Sequence, residues 1–189
     1  MSSDREREKD CHETLRYHCR VFEVHEGEVH FPNGRKSRQS WIDHKPCIAV
    51  VPLTGAGELI LIRQYRHATR QVLTEIPAGA IDKGEESAET CAQRELAEET
   101  GFQARTLVKL FEGYLVPGYC NEYMTFFLAL DLFPLSLPPD EDEFIETLTV
   151  SFEEAEAMIQ TGQIIDAKTA LGIALARSWL KKRELDPTE

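Results

Sequence analysis

Two apolar runs separated by a short turn constrain this chain more than any other feature. Cys47 to Leu53 carries no charged or amide side chain, and Glu58 to Gln64 is aliphatic at Leu59, Ile60, Leu61 and Ile62. Apolar runs of this length without alternation read as strands buried on both faces. Thr54-Gly55-Ala56-Gly57 supplies turn chemistry between them, so the pair is expected to form a hairpin.

Strand patterns surround this pair. From His12 to His44 the chain reads as short antiparallel strands, Tyr17 to His25 and Glu28 to Phe31, with a turn at Pro32-Asn33-Gly34. Glu75 to Ile81 contains Pro77 and Gly79 and suits a sheet edge. Further strands are expected over Ala104 to Glu112, Glu122 to Leu130 and Ile145 to Ser151. A short helix starts at Phe152 and ends near Gly162. A last helix, Lys168 to Lys182, is expected to bury Ala170, Ile173, Ala174 and Leu180. Strands outnumber helices and do not alternate regularly with them, which argues α+β with a mixed sheet.

One helix carries the chemistry. Ser87 is a candidate N-cap, Ala88, Cys91, Ala92 and Leu96 form an apolar stripe, and Gly101 ends the helix. Within it, Arg94-Glu95-Leu96-Ala97-Glu98-Glu99-Thr100-Gly101-Phe102 places three carboxylates at i, i+3 and i+4, on one face. Like charges at that spacing repel and weaken an isolated helix. A divalent cation held between Glu95, Glu98 and Glu99 is a reason to keep them.

The charge balance narrows the partners. The 189 residues contain 21 Lys and Arg against 33 Asp and Glu, a net charge of −12. Such a surface repels phosphate backbones, and no basic block offsets it, so nucleic acid is not expected as a partner. A phosphorylated small molecule remains compatible, because a bound cation reverses the local field. The longest apolar runs fall short of a membrane span. The mixed-charge N-terminus reads as a frayed tail over 1–11 rather than a targeting peptide, and the expected location is the cytoplasm. Five cysteines without C-x-x-C pairing fit reduced thiols, with Cys91 as inert core. The histidines are scattered and suggest no ligand set.

Arg94 to Phe102 resembles the Nudix hydrolases, whose box reads G-x5-E-x7-R-E-U-x-E-E-x-G-U. Its second half is complete here. In the first half, Gly79 to Glu85 has the family spacing but Glu85 to Arg94 is one residue too long. Glu86 to Arg94 is correctly spaced, but Ala80 then stands where glycine is expected. This reads as a one-residue insertion between Glu85 and Ser87. Ile62-Arg63-Gln64-Tyr65-Arg66-His67, Glu75-Ile76-Pro77-Ala78-Gly79, Pro117-Gly118-Tyr119-Cys120-Asn121-Glu122, Asp140-Glu141-Asp142-Glu143 and Gly162 to Thr169 resemble the branch that hydrolyses ADP-ribose and nucleoside diphosphate sugars.

The resemblance implies a Nudix fold: a mixed sheet sandwiched between helices over 45–185, with a small antiparallel β subdomain over 12–44 that forms a homodimer. It implies Mg²⁺, with Mn²⁺ as a substitute, held by Glu95, Glu99, Glu98, the backbone carbonyl of Ala78, and Glu85 or Glu86. Glu99 counts among the catalytic residues on that footing. The base that deprotonates the attacking water is expected in the Asp140–Glu143 loop, Glu141 before Glu143. Arg66, Arg63, Glu122 and Trp41 are candidate substrate contacts, Trp41 by stacking a base, although a tryptophan here is more often a packing residue and Arg63 equally suits a structural ion pair. Gly79, Arg94 and Gly101 are structural members of the box. The expected reaction is hydrolysis of the diphosphate of ADP-ribose or a related nucleoside diphosphate sugar to a nucleoside monophosphate and a sugar phosphate. The alternatives are a broad nucleotide-sugar hydrolase of GDP-mannose or ADP-glucose type, or a non-catalytic nucleotide sensor.

Overall fold

The computed structural model describes residues 13–135, 137 and 144–185. They form two compact units, one running up to Pro46 and including Tyr114–Tyr123, the other Cys47–Gly113 with Met124 onward. The sequence patterns put only a contiguous N-terminal stretch into the smaller unit. The added segment is tied there by backbone bonds from Ile42 N to the Tyr119 carbonyl (2.8 Å) and from Asn121 N to the Ile42 carbonyl (3.1 Å).

The first unit is a three-stranded antiparallel sheet of β1 (Thr14–His18), β2 (Phe22–His30) and β3 (Lys36–His44), in that order. The register of β2 on β3 is unbroken from Phe22 opposite His44 to His30 opposite Lys36. The turn between them falls at Pro32-Asn33-Gly34, where the Asn33 side chain accepts from Arg35 N at 3.0 Å.

The second unit contains two sheets. A mixed sheet has the order β7 (Ala78–Ala80), β4 (Cys47–Pro52), β9 (Tyr123–Pro134), β8 (Phe102–Tyr114). In it β4 runs parallel to β9 and antiparallel to β7. An antiparallel sheet has the order β10 (Ile145–Val150), β5 (Leu59–Arg66), β6 (Gln71–Glu75). The expected β4–β5 hairpin is therefore corrected. The turn forms, with Thr54 N donating to the Glu58 carbonyl at 2.8 Å, and Leu53 bridges Leu59. Beyond that bridge the two strands enter different sheets. A strand buried on both faces has no alternation to select its partner, so the sequence pattern fixes strand identity but not pairing.

Helices cover both faces of β4, all six of whose residues are buried. Ile48 and Val50 pack with Cys91, Ala92 and Leu96 of α1 (Ala88–Thr100) and with Phe127 and Ala129 of β9. Val51, on the opposite pleat, meets α3 (Ala167–Leu185) at Gly172, which also lies against Ile76. The short α2 (Phe152–Gln160) precedes α3 and is opened by a Ser151/Glu154 capping box.

α1 starts and stops where its caps predict: Ser87 accepts from Thr90 N, and Gly101 takes φ +78°. The buried stripe of α3 differs from expectation. Thr169, Gly172, Ile173 and Ala176 are buried whereas Ala174 is exposed. Ile173 is buried as expected, but Thr169, Gly172 and Ala176 are small residues with little hydrophobic signal, and the close approach of Gly172 to Ile76 and Val51 sets the rotation.

Candidate active site

The site assembles around the segment from Glu75 to Ala80, which is held from one side by α1 and from the other by α3. On the α1 side, the Glu95 carboxylate lies against Gly79 so closely that a Cβ at position 79 would overlap it. The backbone N–H of Ala78 donates to Glu99 at 3.0 Å. Glu95 and Glu99 are buried. Helical spacing thus delivers Glu95 and Glu99 to one strand edge, with Glu98 on the same helix face, and the absence of a side chain at Gly79 admits the first of them.

Arg94 organises the carboxylates. Its guanidinium binds Glu86 through two nitrogens (Nε 3.2 Å, Nη2 2.9 Å), Glu95 at 2.6 Å and Glu98 at 2.9 Å. Lys83 reaches the other oxygen of Glu98 at 3.2 Å. Burial works against the Arg94 charge, but bonds to Glu86, Glu95 and Glu98 outweigh it and raise its pKa. The bond from Arg94 in turn holds Glu86 below the usual carboxylate range, against a smaller opposing effect of burial. Of the two candidates for the first box glutamate, the fold brings Glu86 into this network, while Glu85 is exposed. Cys91 also lies here, and burial pushes its thiol up to about 12, which keeps it protonated and inert.

On the α3 side a second network centres on Glu75, a residue that the sequence patterns gave no role. Glu75 is only 1% exposed. It accepts a two-pronged bond from Arg66, with both distances 2.8 Å, and a short bond from Lys168. Lys168 also reaches Asp166 at 2.9 Å. Thr169 donates its hydroxyl to Asp166 at 2.6 Å and accepts Ile76 N at 2.9 Å. Burial pushes the Glu75 carboxyl up, but Arg66 and Lys168 overcome this and hold it below the usual range. Arg66 is raised chiefly by its bond to Glu75, with Glu99 and Asp166 adding to the field. Asp166-Ala167-Lys168-Thr169 stands out in the sequence, but nothing there links it to Glu75, 93 positions from Lys168.

The remaining candidates separate. Arg63 and Arg66 stand three residues apart on β5, hence on opposite faces of the sheet. Arg63 sits cross-strand from Glu146 and pairs with it loosely at 3.6 Å, both side chains at least half exposed. The structure therefore does not bring Arg63 to Arg66, and its pairing is that of a surface ion pair. Trp41 and Glu122 belong to the first unit. Trp41 stacks on His25 (5.9 Å between centroids, 14° between planes) and lines a cavity of about 650 Å³ with Tyr114, Pro117, Tyr119 and Asn121. Glu141 and Glu143 lie outside the described residues.

Comparison with known proteins decides what this arrangement belongs to. Residues 43–170 match the NUDIX domain. The chain belongs to the NUDIX family. It is 38% identical over 156 residues to an ADP-ribose pyrophosphatase of Bacillus subtilis, covering 82% of this chain and 84% of that protein. It is 38% identical over 130 residues to a GDP-mannose pyrophosphatase of Yersinia enterocolitica, covering 64% and 67% of the two chains. Among solved structures, an ADP compounds hydrolase superposes with a TM-score of 0.83 at 28% identity, covering 92% of this chain and 95% of that one. The α+β architecture, with its mixed sheet between helices and N-terminal antiparallel strands, is that of this Nudix structure. No helix among the described residues is long and apolar enough to cross a membrane.

Proposed function

We propose that this protein is a Mg²⁺-dependent pyrophosphatase that hydrolyses the diphosphate of ADP-ribose or a related nucleoside diphosphate sugar, giving a nucleoside monophosphate and a sugar phosphate. The observation that carries the reading is the gathering of Glu95, Glu98 and Glu99 at the Gly79 edge. These oxygen donors outnumber the cations beside them. Hard carboxylate oxygens suit Mg²⁺, and Mn²⁺ serves as a substitute. Glu95, Glu98 and Glu99 would hold the ion, with the Ala78 carbonyl beside them and Glu86, rather than Glu85, as the further carboxylate. When bound, the ion offsets diphosphate charge and acidifies the attacking water.

The protein's own groups do the rest. Arg94 fixes the carboxylates without contributing to the reaction itself. Arg66, anchored by Glu75 and 39% exposed, presents its remaining N–H edge to a phosphate oxygen. Glu141, or failing it Glu143, takes the proton of the attacking water. Trp41 and the cavity beside it have the size of a small-molecule site and suit a nucleobase. We place the enzyme in the cytoplasm as a homodimer formed through its N-terminal strands, acting neither on nucleic acid nor at a membrane.

The relative from Yersinia supports a second reading, preference for GDP-mannose over ADP-ribose. Turnover of ADP-ribose, ADP-glucose and GDP-mannose measured side by side with Mg²⁺ decides between the two. Failure to cleave any of these with Mg²⁺ or Mn²⁺ would leave the nucleotide-sensing alternative. Glu141→Gln is expected to lower kcat while sparing KM, and a larger loss in Glu143→Gln would transfer the base role.

A further inference from the structure

The first unit carries a second set of ligand-type side chains, remote in sequence from the Nudix box. We propose that Glu23, His25 and Asp43 form a binding site for a divalent first-row transition metal, of the Zn²⁺, Co²⁺ or Mn²⁺ class. The β2–β3 register places Glu23 directly opposite Asp43, and His25 opposite Trp41. Glu23 and His25, two residues apart, share a face with Asp43. Like charges directly opposite one another destabilise an antiparallel pair. Elsewhere on the same two strands the opposition is complementary, as in Glu28 facing Arg38. A cation between Glu23 and Asp43 removes the conflict.

The geometry fits one ion. Ligand atoms of Glu23, His25 and Asp43 lie within 4.8 Å of one another, and Glu23 Oε2 stands 2.9 Å from His25 Nε2. Donors sharing an ion at bond lengths of about 2.0–2.2 Å stand at most about 4.4 Å apart, so small side-chain adjustments within the 4.8 Å span bring all three onto one ion.

A second observation concerns the imidazole itself. Its other nitrogen, Nδ1, lies 2.5 Å from a carboxylate oxygen of Glu13. That contact is an ion pair without hydrogen-bond geometry, and Nδ1 is buried with no hydrogen-bond partner among the described residues, while Nε2 is hydrogen-bonded to Glu23 and faces the other ligands. Stacking on Trp41 fixes the ring plane, and the His25 side chain is 14% exposed. Each ligand carboxylate is steadied as well: Glu23 Oε1 by His18 at 3.0 Å, and Asp43 by a short bond from Asn121. One imidazole with two carboxylates selects a transition ion over Mg²⁺, which prefers an all-oxygen shell. Through Asp43 and Asn121 the ion would also brace the Tyr114–Tyr123 segment against β3.

The test is a calorimetric titration of the full-length protein with Zn²⁺ in excess Mg²⁺, repeated in Glu99→Gln to remove the box as a competing site. One equivalent of Zn²⁺ is expected in both. His25→Ala should weaken that binding at least tenfold. Imidazole ¹⁵N spectra of the unaltered protein provide an independent readout, in which Zn²⁺ should move the Nε2 resonance of His25. Undiminished Zn²⁺ affinity in His25→Ala, or a His25 Nε2 resonance indifferent to Zn²⁺, overturns the proposal.

Discussion

Two charged networks flank the Glu75–Ala80 segment, and they are built differently. On the α1 side, Glu86, Glu95 and Glu98 share the cations Arg94 and Lys83, and Glu99 accepts from Ala78 N. On the α3 side, Glu75 and Asp166 are matched by Arg66 and Lys168. Buried charge is costly unless paired. The balanced network meets that condition internally and reads as scaffold. The other holds more carboxylates than cations, and we propose it as the site that a further cation completes. Charge balance, more than the number of charges, separates the two.

The sharpest break between them is predicted at Glu99. Glu99→Gln removes a charge from the network with the anionic surplus and should lower activity by more than about 100-fold. Steady-state kinetics across a Mg²⁺ series measure that loss. Metal-free stability in urea should fall less than in Glu75→Gln, because a glutamine oxygen still accepts from Ala78 N. A large stability loss here would place Glu99 with the scaffold.

The reverse pattern is expected at Glu75. Glu75→Gln leaves Arg66 and Lys168 without their shared anion, and breaking such a pair costs about 3–5 kcal/mol, read from urea unfolding. Acid should expose the same dependence. The folded carboxyl of Glu75 is held below its ordinary value of 4.5. Its stabilisation is therefore complete above that value and disappears as pH falls through the lower folded value. The unaltered protein should lose stability over that acid window, and Glu75→Gln should lose correspondingly less. Equal acid sensitivity in the two proteins would remove Glu75 from the account.

These two networks were unequally visible in the sequence. α1 was legible because everything that defines it is local: a cap at Ser87, a 3.6-residue stripe, and Gly101 at its end. The carboxylate face follows from that period alone. Glu75 was not legible, since the residues that bind it lie on β5 and on α3, the latter 93 positions along the chain. The same limit hid the Glu23–His25–Asp43 grouping, which exists only through strand register. It also hid the assignment of β4 and β5 to separate sheets. Arg63 and Arg66 became candidates together through the resemblance of the stretch from Ile62 to His67, but residues three apart on a strand lie on opposite faces. Nothing described bears on Glu141 and Glu143, where the sequence stands alone.

The finest test of the comparison lies at the irregular start of the box, where two adjacent glutamates compete for one role. Arg94 binds Glu86 with two nitrogens, and the side chain of Glu86 is 7% exposed. Glu85 is exposed. Glu85→Gln should therefore change stability by no more than about 0.5 kcal/mol. Glu86→Gln weakens the anchor that turns Arg94 toward Glu95 and Glu98, and should cost about 1–3 kcal/mol, as for a bond to a charged partner. It should also raise the Mg²⁺ concentration for half-maximal activity. If Glu85→Gln has the larger effect on Mg²⁺ dependence, the extra residue lies after the metal-facing glutamate. Arg94 would then be anchored by a residue outside the metal shell.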